Sequence, residues 1–247
     1  WIFPVGFSYV AFQVLAYLID IKNEVTPAEK NILKFTALLI FFPKMISGPI
    51  QRYRDNIEEL DFTSSSPTRT AEGIRRFIRG LAKKVIIADT IARFIDPVFM
   101  STRPEITTLQ AWVVILGYSI QLFYDFSGYT DMALGLGEVF GFKMAENFNW
   151  PYISRSVTEF WRRWHISLSS WFRDYVFLPL QFRFRKNKRY PIQVSIMLIF
   201  LLTGLWHGLD RHYIVWGLML GAIIGFEATK FGKLLQKTWK PIQHLWM

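Results

Sequence analysis

Three stretches of the chain carry no charged residue and are long enough to cross a bilayer: Trp1–Ile19, Ile106–Tyr124 and Tyr190–Leu209. A span takes roughly 20 mostly apolar residues, because in hydrocarbon the helix itself must satisfy every backbone N–H and C=O. No other feature restricts the fold as strongly, and it predicts an all-α, polytopic membrane protein. Two further stretches fit less well. Ile32–Ile50 is interrupted by Lys34, Pro43, Lys44 and Pro49, and Tyr213–Phe226 is short unless Ala228 and its successors extend it. In the latter, Gly217, Gly221 and Gly225 recur every fourth residue on one helix face. That spacing suits close helix packing in lipid, although glycine is also common in membrane helices generally.

The segments between these runs are not ordinary loops. Ala71–Phe99 reads as an amphipathic helix, basic on one face and stopped near Pro97, placed to lie in or dip into the membrane interface. Asp125–Arg189 is too polar to span simply and too aromatic for a solvated linker. Backbone of that kind persists at membrane depth only when buried in protein or lining a wet cavity. Asp55–Thr70 is the one clear solvent-exposed loop. With no boundary signal and no strong repeat, residues 1–247 read as a single membrane domain with broken or re-entrant helices. The chain opens on Trp1 within an apolar run, and is expected to be a fragment lacking upstream spans.

A net charge of +10 raises the question of nucleic acid. The basic residues, however, cluster beside apolar runs, in RRFIRGLAKK (Arg75–Lys84) and RFRKNKR (Arg183–Arg189), where cytoplasmic anionic lipid is the expected partner. No nucleic-acid motif accompanies them, so no nucleic-acid partner is expected. The absence of cysteine excludes disulfides, thiolate metal sites and a cysteine nucleophile.

Chemistry concentrates in EFWRRWHISLSSWFRDYVFLP, Glu159–Pro179. Placed on one helix, Trp161, Trp164, His165, Leu168, Trp171, Phe172 and Tyr175 form a continuous aromatic face. Arg162, Ile166, Ser169 and Arg173 lie toward the other side. Glu159 is spaced to meet Arg162 and Arg163, and Ser156 or Thr158 is spaced to cap the start. An interfacial helix with snorkelling arginines accounts for most of this. It leaves His165 unexplained, since a polar ring on a buried aromatic face needs a partner or a task. A second Trp-His pair, Trp206-His207, closes the run ending LLTGLWHGL, with Gly204 and Gly208 leaving room for a helix or a substrate. Ionisable residues at such positions are functional-site candidates, and the competing reading is an interfacial histidine. Burial would keep an imidazole neutral and able to take a proton from a hydroxyl. A metal held by both histidines and Asp125 is the rival use; no HExxH-type spacing supports it, and no metal is expected.

The run FYDFSGYTDMALGLGEVFGFKMAENFNWPYISRSVTEFWRRWHISLSSWFRDYVFLPL, followed by LLTGLWHG, resembles the membrane-bound O-acyltransferases (MBOAT). It is most similar to the bacterial branch containing alginate O-acetyltransferase and the teichoic-acid D-alanyl transfer protein. PVGFSYVAFQVLAYLID (Pro4–Asp20) and FFPKMISGPIQRY (Phe41–Tyr53) extend the resemblance over most of the chain.

The resemblance implies a helical funnel around a central tunnel in the cytoplasmic membrane. It implies an acyl donor on the cytoplasmic side, a glycan acceptor on the other, and an acyl-accepting partner protein outside the cell. His207 of the WHG motif is then the catalytic candidate and His165 the second, with Asp125, Arg162, Trp164 and Trp206 as candidate substrate-binding residues. The expected co-substrate is an acyl-thioester, acyl-CoA or acyl-carrier protein, with no bound cofactor. His207 would take the hydroxyl proton, and His165 would either orient the acceptor or polarise the thioester carbonyl. Asp125 and Arg162 would orient a histidine or a carrier phosphate, or else make ordinary ion pairs. The relatives' pattern often continues into a glycine-containing loop, whereas LPL (Leu178–Leu180) here runs into QFRFRKNKR. That basic stretch is closer to the D-alanyl branch, while the RRWHISLSSW core reads as polysaccharide acetyltransferase. Acetyl transfer is the first expectation and D-alanyl transfer the alternative. A membrane transporter or a non-catalytic scaffold is the rival from another class.

Overall fold

The computed structural model describes residues 6–55, 65–100, 106–184, 186 and 192–247, and among them every regular element is a helix. In chain order these are α1 (Phe7–Lys22), α2 (Ile32–Leu39), α3 (Phe42–Met45), α4 (Pro67–Ala82), α5 (Asp89–Phe99), α6 (Thr108–Val139), α7 (Val157–Arg163), α8 (Ile166–Phe172), α9 (Leu178–Phe184), α10 (Ile192–His207), α11 (Arg211–Glu227), α12 (Lys230–Leu235) and α13 (Lys240–Trp246). Two compact units divide the chain, Trp1–Glu146 and Asn147–Met247.

The expected spans are helical but fall short of the expected form, for no helix among the described residues is long and apolar enough to cross a membrane. The first run corresponds to α1 and the third to α10, each of 16 residues, below the roughly 20 that a span requires. Residues 1–5 and 187–191 lie outside the described residues. The second run is the first half of α6, which extends for 32 residues through Asp125 and Asp131, and those carboxylates end its apolar stretch. Ile32–Ile50 is split into α2 and α3, with Pro43 in the first turn of α3.

In the first unit, Ala71–Phe99 is longer than one amphipathic helix. A π-helical segment, Lys83–Ala88, joins α4 to α5, and Pro97 sits inside α5 rather than ending it. Ser66 caps α4, its hydroxyl accepting from Arg69 N at 3.2 Å. The expected 55–70 loop ends earlier than Thr70, since Pro67–Thr70 are already the first turn of α4; 56–64 lie outside the described residues. Helices α4 and α6 cross antiparallel at two reciprocal glycine pairs. A Cβ on Gly73 would lie 2.6 Å from Gly135 O, and one on Gly80 would lie 2.5 Å from Gly128 O. Backbones this close tolerate only glycine, so Gly135 of GLGEVFG has a packing role. Between the glycines, Arg76 donates to Asp131 Oδ1 from Nε and Nη2 at 3.0 and 2.9 Å, and Lys83 Nζ donates to Asp131 Oδ2 at 2.6 Å. Arg76 also forks onto Glu146 at 2.7 and 2.6 Å.

In the second unit, α10 and α11 form an antiparallel hairpin with the same device. A Cβ on Gly204 would meet Tyr213 O at 2.4 Å, and one on Gly217 would meet Phe200 O at 2.4 Å. The space beside Gly204 and Gly208 is thus taken by α11, with the Tyr213 ring against Gly208. Gly221 likewise faces Met197, while Gly225 has only ordinary contact with Gln193. Leu168, Trp171, Phe172 and Ile224 are buried within this unit.

Candidate active site

The expected continuous helix over Glu159–Pro179 is broken at Trp164–His165, where His165 takes a left-handed conformation with φ 43°. Such backbone is uncommon outside glycine and persists where its surroundings determine it. Here the segment 147–149 takes up the polar groups that the break releases. Asn149 N donates to Arg163 O at 2.9 Å, and Ile166 N donates to Asn147 O at 2.9 Å. Ser167 N donates to Asn147 Oδ1 at 3.1 Å, so a residue distant in sequence caps α8. An unbroken helix would have used these groups locally; the break is held by partners that periodicity does not reveal.

The start of α7 is fixed in a similar way. Ser156 Oγ accepts from Glu159 N at 3.0 Å, which is the expected local cap. A second acceptor comes from the end of α11. Buried Glu227 takes Val157 N at 2.9 Å, Thr158 N at 2.8 Å, the Thr158 hydroxyl, and Trp246 Nε1 at 2.8 Å. A carboxylate at a helix N-terminus is favoured by both the exposed N–H groups and the helix dipole. Glu159 pairs with Arg163, at 3.0 and 2.8 Å. The Arg155 backbone N–H, with Arg163 added, holds the Glu159 carboxyl below its usual range against the effect of burial.

The break divides the expected aromatic face. Trp164 stacks on Phe160 at 5.5 Å between centroids and meets Phe148 edge-on at 5.0 Å. Trp161 meets the same Phe160 edge-on at 5.7 Å and reaches further to Phe200 at 5.4 Å and Trp216 at 5.8 Å. His165 is 4% exposed and its ring lies 6.4 Å from Trp206. Trp206 is 4.6 Å from His207, whose ring is stacked on Tyr213 at 6.0 Å and edge-on to Trp216 at 5.3 Å. The two candidate histidines therefore share Trp206 as a neighbour. They differ in setting, since His165 is buried while His207, in the last turn of α10, is exposed. Burial holds the His165 pKa well below the usual imidazole value, and nearby His207 acts in the same direction.

Arg162 is exposed and lines a cavity of about 720 Å³ that Trp161 and Phe200 also line. Ile166, Ser169 and Arg173 line the same cavity, but so do Trp161, Leu168 and Phe172 of the expected aromatic face, so the two faces are not kept apart there. Its far wall is apolar, from Ile192, Ile196, Ile199 and Phe200, and Lys233 adds a further cation. Asp125 belongs to the first unit, where Lys84 Nζ pairs with it at 2.6 Å and with Asp89 at 2.6 Å. Asn147 and Glu227 were missed from the sequence. Their only signals were a polar residue inside the aromatic run ENFNW and the single carboxylate that closes the uncharged stretch before Ala228.

A family model described as the membrane-bound O-acyltransferase family matches residues 23–237. The chain is 42% identical over 240 residues to a probable alginate O-acetylase of Azotobacter vinelandii, covering 97% of this chain and 47% of that one. It is 33% identical over 247 residues to a peptidoglycan O-acetyltransferase of Helicobacter pylori, covering 89% and 46%. It is 35% identical over 224 residues to a teichoic acid D-alanyltransferase of Bacillus subtilis, covering 86% and 56%. The chain thus spans about half the length of the curated relatives it matches.

Proposed function

The chain belongs to the membrane-bound O-acyltransferase family, and from that premise we propose that it carries the reaction centre of a multi-pass O-acyltransferase of the cytoplasmic membrane. The reaction moves an acyl group, acetyl first, from a thioester donor to a hydroxyl of a cell-surface or exported polysaccharide. The observation that carries the reading is the pair of imidazoles, His165 and His207, gathered around Trp206. The higher identity to an alginate O-acetylase than to a teichoic acid D-alanyltransferase favours acetyl over D-alanyl.

In the proposed reaction His207 takes the proton of the acceptor hydroxyl as its oxygen attacks the thioester carbonyl. The tetrahedral intermediate collapses with cleavage of the C–S bond, and the thiolate leaves with that proton. General-base help of this kind contributes roughly 10²–10⁴-fold. The cavity beside Arg162 suits the donor, because Arg162, Arg173 and Lys233 offer charge for the phosphates of acyl-CoA or a carrier's phosphopantetheine arm, and α10 offers apolar surface for the arm itself. The acceptor glycan, and any acyl-accepting partner protein, belong on the extracytoplasmic side.

The test uses the purified full-length protein, acetyl-CoA or an acetylated carrier protein, and a glycan acceptor. Ester formation is expected in the wild type, with a fall of about 10²–10⁴-fold in His207→Ala while folding and donor binding are retained. Unchanged turnover in that variant overturns the base role. Transfer only from a D-alanyl-charged carrier identifies the alternative acyl group. Donor binding without deacylation in the wild type points to a scaffold.

A further inference from the structure

Three donors converge on one atom of Asn147. Its Oδ1 receives the Ser167 backbone N–H at 3.1 Å and the Ser167 hydroxyl at 2.9 Å, and it lies 3.2 Å from His165 Nδ1. An amide can be rotated to exchange its oxygen and nitrogen, so the identity of this atom has to be argued. A backbone N–H can only donate, so the atom it meets is the carbonyl oxygen. The amide nitrogen on the other side finds no acceptor among the described residues, so the orientation is set by the donors at Oδ1. An amide oxygen only accepts. Whatever faces it from His165 Nδ1 must therefore carry the proton.

We infer that Asn147 is a positioning residue that locks neutral His165 in the Nδ1–H tautomer and thereby makes Nε2 a hydrogen-bond acceptor. Asn147 is 1% exposed and His165 4% exposed, so water has little access to compete for the bond. The left-handed backbone of His165 and the bond from Ile166 N to Asn147 O fix the ring's origin relative to the amide. His207 is a titratable side chain that acts on the imidazole. This inference rests on the acyl-transfer reading and decides between the two roles open to His165. With its proton on Nδ1, the neutral ring has no Nε2–H to offer a thioester carbonyl. What the ring keeps at Nε2 is a lone pair, which suits orienting an acceptor hydroxyl and not polarising the carbonyl.

The experiment uses full-length protein labelled with ¹⁵N-histidine, in which this segment contributes four histidines and His165→Ala assigns the signal. The expected result is an Nδ1–H tautomer for His165 in the wild type. That tautomer should persist in Asn147→Asp, which keeps a carbonyl-type acceptor, and should be lost in Asn147→Leu. Turnover should follow it, near wild type in Asn147→Asp and reduced about 10²-fold in Asn147→Leu with little change in donor KM. An Nε2–H tautomer in the wild type overturns the inference. So does Asn147→Leu with an unchanged tautomer and unchanged turnover, or Asn147→Asp that keeps the tautomer yet is as slow as Asn147→Leu. The spectrum reports the tautomer whether or not acyl transfer is seen, so failure of this inference and failure of the acyl-transfer reading are separate results.

Discussion

The α4–α6 crossing and the α7–α8 break solve opposite problems. At the crossing, two regular helices approach until each glycine faces the other helix's backbone, and the charges between them pair with one another. At the break, a helix is interrupted on purpose, and residues far away in the chain satisfy its open ends. The crossing is a continuous surface in which small residues set the distance. The break is a set of individual hydrogen bonds that set the direction of one side chain. The comparison teaches that rigidity in this chain comes from two sources, steric closeness in one place and long-range capping in the other. Only the second aims a functional group.

The largest effect is expected from removing a distant cap. Glu227→Ala strips the acceptor from Val157 N, Thr158 N, the Thr158 hydroxyl and Trp246 Nε1. Hydrogen bonds to a charged group are worth about 1.5–3 kcal/mol each, and buried donors left open cost more than the bond alone, so a loss on the order of 3–5 kcal/mol is expected. Thermal unfolding in detergent measures it, and hydrogen exchange should accelerate at Val157 and Thr158 before it does elsewhere. Uniform acceleration over the second unit would mean that Glu227 is a general core residue rather than the anchor of α7.

Steric closeness predicts a smaller loss with a strict position dependence. Gly80→Ala places a methyl 2.5 Å from Gly128 O, against backbone that has nowhere to go. Overpacking of that kind costs about 1–3 kcal/mol. Gly225→Ala is the control, since its Cβ would meet Gln193 at 3.7 Å, an ordinary contact. There the higher helix propensity of alanine should raise stability by about 0.5–1 kcal/mol. Equal melting temperatures for the two variants would remove the steric account of the crossing.

The same contrast explains what could be read from the sequence. The helices were legible because apolar periodicity is local, and so were the glycine face of α11 and the Ser156 cap. Both histidines stood out because a polar ring among aromatics needs a reason. The break at His165 was not legible, because Trp161, Trp164, Leu168 and Trp171 keep helical spacing straight through it. What interrupts the helix is Asn147, 20 residues before Ser167, and what holds its start is Glu227, 70 residues after Val157. No local pattern encodes either. The continuation of α6 past the uncharged run at Tyr124 has a related reason: Lys84 pairs with Asp125, and Arg76 and Lys83 pair with Asp131, so the helix carries both carboxylates with their charges met.

Asp125 supplies the smallest and most pointed test of the comparison. If the first unit works by regular packing with its charges paired internally, Asp125 is one arm of a Lys84 bridge whose other arm is Asp89. The side chains of that pair are 41% and 39% exposed, and ion pairs so open to solvent contribute about 0–1 kcal/mol. Asp125→Asn is therefore expected to shift stability by less than about 1 kcal/mol and to leave acyl transfer unchanged, because Lys84 retains Asp89. A higher donor KM with unchanged stability would place the carboxylate in substrate binding and make the first unit more than a scaffold. A lower kcat with unchanged KM would instead tie it to the orientation of a histidine. Steady-state kinetics beside a melting curve separates the three results, and only the first leaves the division between a packed region and an aimed one as drawn.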